Sequence, residues 1–237
     1  MTNDPDLRLL LGGVLVLLLV ASTVGAILRR RVTSDAGRAT VANLVARIHA
    51  WWVMVAVFAA ALVLGTTGTV VLYAILSFLA LREFITLTPT GRGDHATLFW
   101  SFFVVLPLQY VLVGYRWYGL FAILIPVYAF LFVPLRSALA GDTARFLERV
   151  AKIQWGLMIA VYCLSHAPAL LMLPVAGDAA GGAKLLLFLV LVVQLSDVFQ
   201  YVWGKLLGRH KIAPRVSPSK TVEGFAGGVA TATAIGA

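Results

Sequence analysis

Charge is what this sequence has least of. Only 12% of its 237 residues are Asp, Glu, Lys or Arg, about half of what a soluble domain carries. Acid is scarcer than base: ten carboxylates stand against nineteen Lys and Arg, for a net charge of +9. Cysteine is almost missing. The single Cys163 excludes an internal disulfide and any multi-cysteine metal cluster. It sits in an apolar run and reads as a small buried hydrophobe. His49, His95, His166 and His210 are scattered, and none has the partners that a zinc site needs. The chain also lacks a Walker-type phosphate loop, a dinucleotide-binding glycine fingerprint and a nucleophile elbow.

What fills the chain is apolar: 61% of the residues are hydrophobic. Several runs approach the roughly 20 residues that span a bilayer. They are continuous rather than alternating, which argues against a barrel. Helices satisfy their own backbone hydrogen bonds in lipid. The expected fold is therefore all-α, a polytopic transmembrane helical bundle treated as one integral membrane domain over 1–237. The spans fall at 7–28, 51–65, 69–87, 96–113, 118–135, 153–173 and 185–203, and a further one begins at 225–237. The first run is not a signal peptide, because Asp4 and Asp6 precede it and Arg29-Arg30-Arg31 follow it.

Positive residues favour the cytoplasmic side. Placing 29–50, 82–95, 136–152 and 204–224 there collects sixteen of the nineteen Lys and Arg. That assignment requires the chain to turn within Gly65-Thr-Thr-Gly68, whose residues suit a tight turn. The N-terminus and the 174–183 loop then lie outside. The net charge becomes a cytoplasmic girdle facing anionic membrane lipids rather than a nucleic-acid patch. Arg29, Arg30, Arg31, Arg38 and Arg47 fit that role, as do Arg136, Arg145, Arg149 and Lys152. Arg145, Glu148, Arg149 and Lys152 also suit a solvated surface helix.

The 204–224 segment differs. Lys205, Arg209, His210, Lys211, Arg215 and Lys220 are spread along a stretch punctuated by Pro214 and Pro218. Two prolines so close fix an ordered path. Ser217-Pro218 reads as a turn or the first turn of a helix. Gly224, Gly227 and Gly228 would let the next helix approach a neighbour closely. The cations of this loop are read as an ordered phosphate-binding group.

Asp197 interrupts the last full span about six residues from its cytoplasmic end. An ionised side chain there is costly unless paired, hydrated or metal-bound. Gln194, Asp197 and Tyr201 share one helical face, and Ser196 flanks it. One reading is interhelical hydrogen bonding that serves only packing. The other is a buried metal or cation site. A carboxylate without Cys or His neighbours favours a hard ion such as Mg²⁺.

The run Ser196-Asp-Val-Phe-Gln-Tyr-Val-Trp-Gly-Lys205, followed by Arg209-His-Lys-Ile-Ala-Pro-Arg-Val-Ser-Pro-Ser-Lys-Thr-Val-Glu-Gly-Phe-Ala-Gly-Gly228, resembles the CDP-diacylglycerol synthase family, the phosphatidate cytidylyltransferases. Leu81-Arg-Glu-Phe84 is a weaker echo. The resemblance implies transfer of CMP from CTP to phosphatidic acid, giving CDP-diacylglycerol and pyrophosphate, with Mg²⁺ as cofactor. It implies a homodimeric enzyme of the bacterial inner membrane whose site faces the cytoplasm. Carried over by position, Asp197 is the metal ligand and a catalytic residue, with Lys220 and Glu223 also catalytic. Ser196, Tyr201, Lys205, Lys211, Arg215 and Ser217 belong to substrate binding. Family members continue with a further basic and acidic segment that supplies more metal-site carboxylates. Nothing here matches it, so the 237-residue chain is expected to be weakly active or inactive alone. The competing readings are a transporter or channel with Asp197 in its pathway, and a CTP-dependent lipid kinase.

Overall fold

The computed structural model describes residues 4–88, 90–178 and 180–237. Residue 89 of the 82–95 loop, residue 179 of the 174–183 loop and the side chains of residues 36 and 92 lie outside that description. The described residues form eight long helices and one hairpin: α1 (Pro5–Arg31), α2 (Asp35–Val63), α3 (Gly65–Thr86), α4 (His95–Gly114), α5 (Tyr118–Ala138), α6 (Phe146–Met172), α7 (Gly181–Leu206), β1 (Lys211–Ala213), β2 (Ser217–Thr221) and α8 (Val222–Gly236). Helices α1 to α7 are each long and apolar enough to cross a membrane. The transmembrane helical architecture expected from composition is the one found. The chain divides into two compact units, residues 1–180 and 181–237.

In the first unit, α1 is capped by Asp4, whose carboxylate accepts from the amides of Asp6 and Leu7. Its last turn carries Arg29, Arg30 and Arg31, the charge that suits a helix C-terminus. Helix α2 starts at Asp35, sixteen residues before the expected boundary of its span. Ala-rich sequence with no proline lets the helix run on through the polar 35–50 segment. At 29 residues it is about 43 Å long, more than the ~30 Å hydrocarbon core. Helix α6 likewise begins at Phe146 rather than 153. The α2–α3 break falls at Leu64 and Gly65, and Gly65 adopts φ +76°, a left-handed conformation that glycine takes without penalty.

Three helices of this unit contain a π-helical stretch: 101–105 in α4, 124–129 in α5 and 157–163 in α6. The first leads into Pro107 and the second contains Pro126. Proline removes an amide and crowds the preceding turn, and a widened turn relieves that crowding. The core gathers Phe121, Ile125, Val133, Ile153, Leu157 and Val161, with Leu81 from α3. Leu81 and Phe84 lie over Gly156, where an added Cβ would come within 2.9 Å of the Phe84 ring. Arg82 and Glu83 are exposed. Cys163 is exposed as well, not the buried hydrophobe its apolar surroundings suggested. An apolar helix in lipid has no need to turn its small hydrophobes inward.

Among the described residues, most buried polar side chains of this unit find partners, and Gln109 Oε1 is the one buried side-chain atom left without one. Ser77 bonds the Tyr110 hydroxyl, and Thr97 bonds Ser137 across 3.0 Å. The Gln109 amide donates to the Phe121 carbonyl and to Ser165. Arg149 departs from its expected place in a head-group girdle. It is buried, with Nε 2.9 Å from Asp94 and Nη1 2.7 Å from Asp142. Nη1 also donates to the Ala144 carbonyl, and Asp94 accepts the amide of Gly91. The guanidinium thereby ties the 91–94 turn to the segment leading into α6. Arg145, Glu148 and Lys152 form the surface ladder expected of them, with both contacts at 2.6 Å.

Candidate active site

The second unit is built around the packing of α7 on α8. Its closeness depends on glycine. A Cβ on Gly228 would lie 2.3 Å from Gln200 Cγ and 2.7 Å from the Gln200 amide nitrogen. One on Gly224 would meet the Gln200 carbonyl at 2.8 Å and Gly204 Cα at 2.9 Å. Polar links accompany the contact: Trp203 Nε1 donates to Thr231 Oγ1 at 3.0 Å, and Thr231 donates to the Gly227 carbonyl.

The basic segment between these helices is ordered, as the prolines suggested, but differently in detail. Lys211–Ala213 and Ser217–Thr221 form an antiparallel hairpin, pairing Lys211 with Thr221 and Ala213 with Ser217 around an irregularity. Pro214 follows Ala213 in the turn, which closes with the Val216 amide on the Ala213 carbonyl at 3.0 Å. That is the turn position whose φ proline presets. Ser217-Pro218 is strand, not turn or helix start. A two-stranded hairpin has only edges, so the missing proline amide costs little there. Helix α8 is capped instead by Thr221, which is buried and accepts the Gly224 amide.

Glu223 holds the hairpin base. Its carboxylate accepts the Arg209 amide at 3.0 Å, the His210 amide at 3.2 Å and His210 Nδ1 at 2.6 Å. The His210 contact, helped by the Arg209 amide, lowers its pKa from the ordinary 4.5 to about 2. Expected to be catalytic, Glu223 is engaged in fixing the loop.

Asp197 is not buried. Its side chain is 67% exposed, and Oδ1 lies 3.4 Å from Nζ of Lys220, itself 51% exposed. The two face a crevice of about 790 Å³. Ser196 and Gln200 share its polar end, with Gln200 Nε2 donating to Ser196 Oγ at 3.2 Å. Phe188, Val192 and Val229 form part of its apolar remainder. The expected stripe of Gln194, Asp197 and Tyr201 is thus corrected. The crevice face of α7 runs through Val193, Ser196, Asp197 and Gln200, the spacing of three and four that keeps residues on one side. Tyr201 lies outside that lining, beneath Lys205, whose Nζ is 5.9 Å from its ring centroid. Lys211 and Arg215 are exposed on the hairpin, and Ser217 is partly covered.

The structure therefore brings Ser196, Asp197 and Lys220 together, and groups Glu223 with His210 at the hairpin base. It does not gather Tyr201, Lys205, Lys211, Arg215 and Ser217 into the crevice lining. Gln200 and Thr221 are the contributors not singled out from the sequence, and His210, grouped there with the phosphate-binding cations, instead pairs with Glu223. Gln200 was legible as the residue three beyond Asp197 on the same helix. Among the described residues no group of three His, Cys, Asp or Glu is placed to hold a metal ion. Asp197 offers one hard oxygen ligand, a donor that Mg²⁺ accepts when substrate phosphates and water complete its shell.

These residues all fall within the part of the chain matched by a family model. The model of the cytidylyltransferase family covers residues 45–237. The chain belongs to that family. An uncharacterized protein of Escherichia coli K12, YnbB, is 41% identical over 185 residues, 78% of this chain and 60% of its own length. The phosphatidate cytidylyltransferase of Staphylococcus saprophyticus is 52% identical over 48 residues, and that of Staphylococcus epidermidis 48% over the same number. Each of those matches covers 20% of this chain and 18% of the relative. The chain thus spans well under the full length of the family relatives it matches. No solved structure matches it.

Proposed function

We propose that this cytidylyltransferase-family chain takes part in transferring CMP from CTP to phosphatidic acid, releasing pyrophosphate and forming CDP-diacylglycerol. The observation that carries the reading is the pairing of Asp197 with Lys220 at the polar end of an otherwise apolar crevice. A lipid with an anionic head has that same division. In this reaction a phosphate oxygen of the lipid attacks the α-phosphorus of CTP. The new P–O bond forms as the bond from the α-phosphorus to the bridging oxygen breaks, and pyrophosphate departs with that electron pair. The lipid phosphate is already ionised at neutral pH, so no strong base is required. The obstacle is the meeting of two polyanions.

Lys220 would offset that repulsion and stabilise charge developing at the phosphates. Ser196 and Gln200 would orient the lipid head group by hydrogen bonding. The hairpin, fixed by Glu223 and the Pro214 turn, would present Lys211 and Arg215 to the nucleotide. Asp197 would hold Mg²⁺, which when bound supplies charge neutralisation for the triphosphate. The Asp197–Lys220 contact of 3.4 Å would then exchange one cation for another as substrate arrives. We place the site on the cytoplasmic face of the bacterial inner membrane, where CTP is available, in a homodimer.

The test is transfer of labelled CMP from CTP to lipid in purified membranes, with and without Mg²⁺ and with phosphatidic acid varied against other lipids. Labelled CDP-diacylglycerol that depends on both supports the reading. Phosphorylated lipid with CDP as co-product would make it a lipid kinase. Ion flux in liposomes without any need for CTP would make it a transporter.

A further inference from the structure

A second charged feature lies between α1 and α2, and its α1 wall falls outside the residues that the family model matches. Two cavities of about 540 and 490 Å³ share Arg29, Val45 and His49. Arg30 and Ser22 line the first, and Arg38 lines the second. Among the described residues, no carboxylate lines either one. The floor is set by a close approach: a Cβ on Gly25 would meet Ile48 at 3.3 Å and Val45 at 3.4 Å. Ser22 is held in place, donating to the Leu18 carbonyl at 2.7 Å and accepting from Trp52 Nε1 at 3.0 Å.

We infer that this cleft is a binding site for a phosphate mono- or diester. Arg29 lines both adjoining cavities, with Arg30 beside it in the first and Arg38 in the second, and no described carboxylate stands among their lining residues. Arginine's planar fork matches two phosphate oxygens at once, and its weak hydration favours a partly dry site. His49 adds a ring nitrogen, while the Ser22 hydroxyl, its proton committed to the Leu18 carbonyl, only shapes the wall. Below them Ala26, Val45 and Ile48 offer apolar surface, which suits a glycerol or acyl portion beneath the charged head. Arg31 marks the contrast with a diffuse basic surface. It is adjacent in sequence and also exposed, yet it lines neither cavity.

The ligand chemistry has two sources, a phospholipid head group and a soluble phosphate ester. The full chain is purified in detergent, and retention of phosphatidylglycerol is compared with that of phosphatidylcholine by native mass spectrometry. The variants are Arg29→Gln with Arg38→Gln, and Arg31→Gln separately. Thermal melting of each variant verifies folding. The expected result is retained phosphatidylglycerol in the unaltered chain and in Arg31→Gln, and about tenfold less in the double variant. If excess inorganic phosphate displaces the lipid, the site takes soluble phosphates. If the lipid persists, the head group is the ligand. Equal losses in Arg31→Gln and the double variant would overturn the inference in favour of diffuse surface attraction. So would the absence of both lipid retention and phosphate binding in the unaltered chain.

Discussion

Two acid–base pairings in this chain look alike in sequence and differ in every physical respect. Arg149 and Asp94 are buried, 2.9 Å apart, and supported by Asp142, the Ala144 carbonyl and the Gly91 amide. Lys220 and Asp197 are exposed, 3.4 Å apart, and open on a crevice. The first pair is saturated: each partner has its hydrogen bonds, and a substrate would have to break several of them. The second is loose enough to exchange partners. A saturated pair shapes the fold, and an unsaturated one is available for chemistry. Both acids stand near apolar runs, so only the partners separate their roles.

Substitution should break the two pairs in opposite ways. Arg149→Leu strands Asp94 without its counter-charge, and leaving a buried charge unpaired is among the most damaging single changes. The melting temperature in detergent should fall by on the order of 10 °C. An unchanged melting curve would mean that the clamp does not hold the 91–94 turn. Asp197→Asn should leave melting nearly unchanged while lowering CMP transfer by roughly 10²- to 10³-fold, the scale of losing one electrostatic element of a site. Transfer within a few-fold of the original would remove Asp197 from the reaction.

Much of the helical layout was legible because a lipid-facing helix announces itself by composition. The Gly65 turn followed from the same charge count that oriented the helices. Boundaries were less legible. Helix α2 extends back to Asp35 because polar residues can continue a helix once it has left the apolar layer, and hydropathy marks only that layer. At the site, the segment carrying Asp197 and Lys220 stood out, but the burial of Asp197 did not follow from its apolar neighbours. Exposure depends on which helix covers a face, and α8 packs beside Asp197 rather than over it. Arg149 was misread for the complementary reason. Its partner Asp94 lies 55 residues away, and no local pattern reports so distant a contact.

The α7–α8 contact sharpens the comparison from the side of packing. Gly228→Val would drive a side chain into backbone atoms of Gln200 that cannot yield. Overpacking of this kind costs about 1–3 kcal/mol, and it should lower the melting temperature and disturb the crevice together. Gly12→Ala is the control, because a Cβ there meets nothing within 4 Å; it should change neither. Lys220→Gln should raise the KM for CTP about tenfold with little change in melting, as expected for one phosphate contact worth about 1.4 kcal/mol. Unchanged CTP kinetics would return Lys220 to the general basic surface.

Glu223 stands between the two kinds of carboxylate, since it is ionised and well bonded yet near the surface. Its pKa in the fold, about 2, lies below the ordinary 4.5. A depressed value means that its contribution is fully present above pH 4.5. That contribution is lost as pH falls through 2. Protection of the Arg209 and His210 amides against hydrogen exchange, corrected for intrinsic rates, should therefore hold from neutral pH down to about 4.5 and decline only toward pH 2. Glu223→Gln keeps the shape but accepts less strongly, so these amides should already exchange faster at neutral pH, with little further acid dependence. If the same variant abolished CMP transfer while the amides stayed protected, Glu223 would act on substrate directly, and its place at the hairpin base would be incidental.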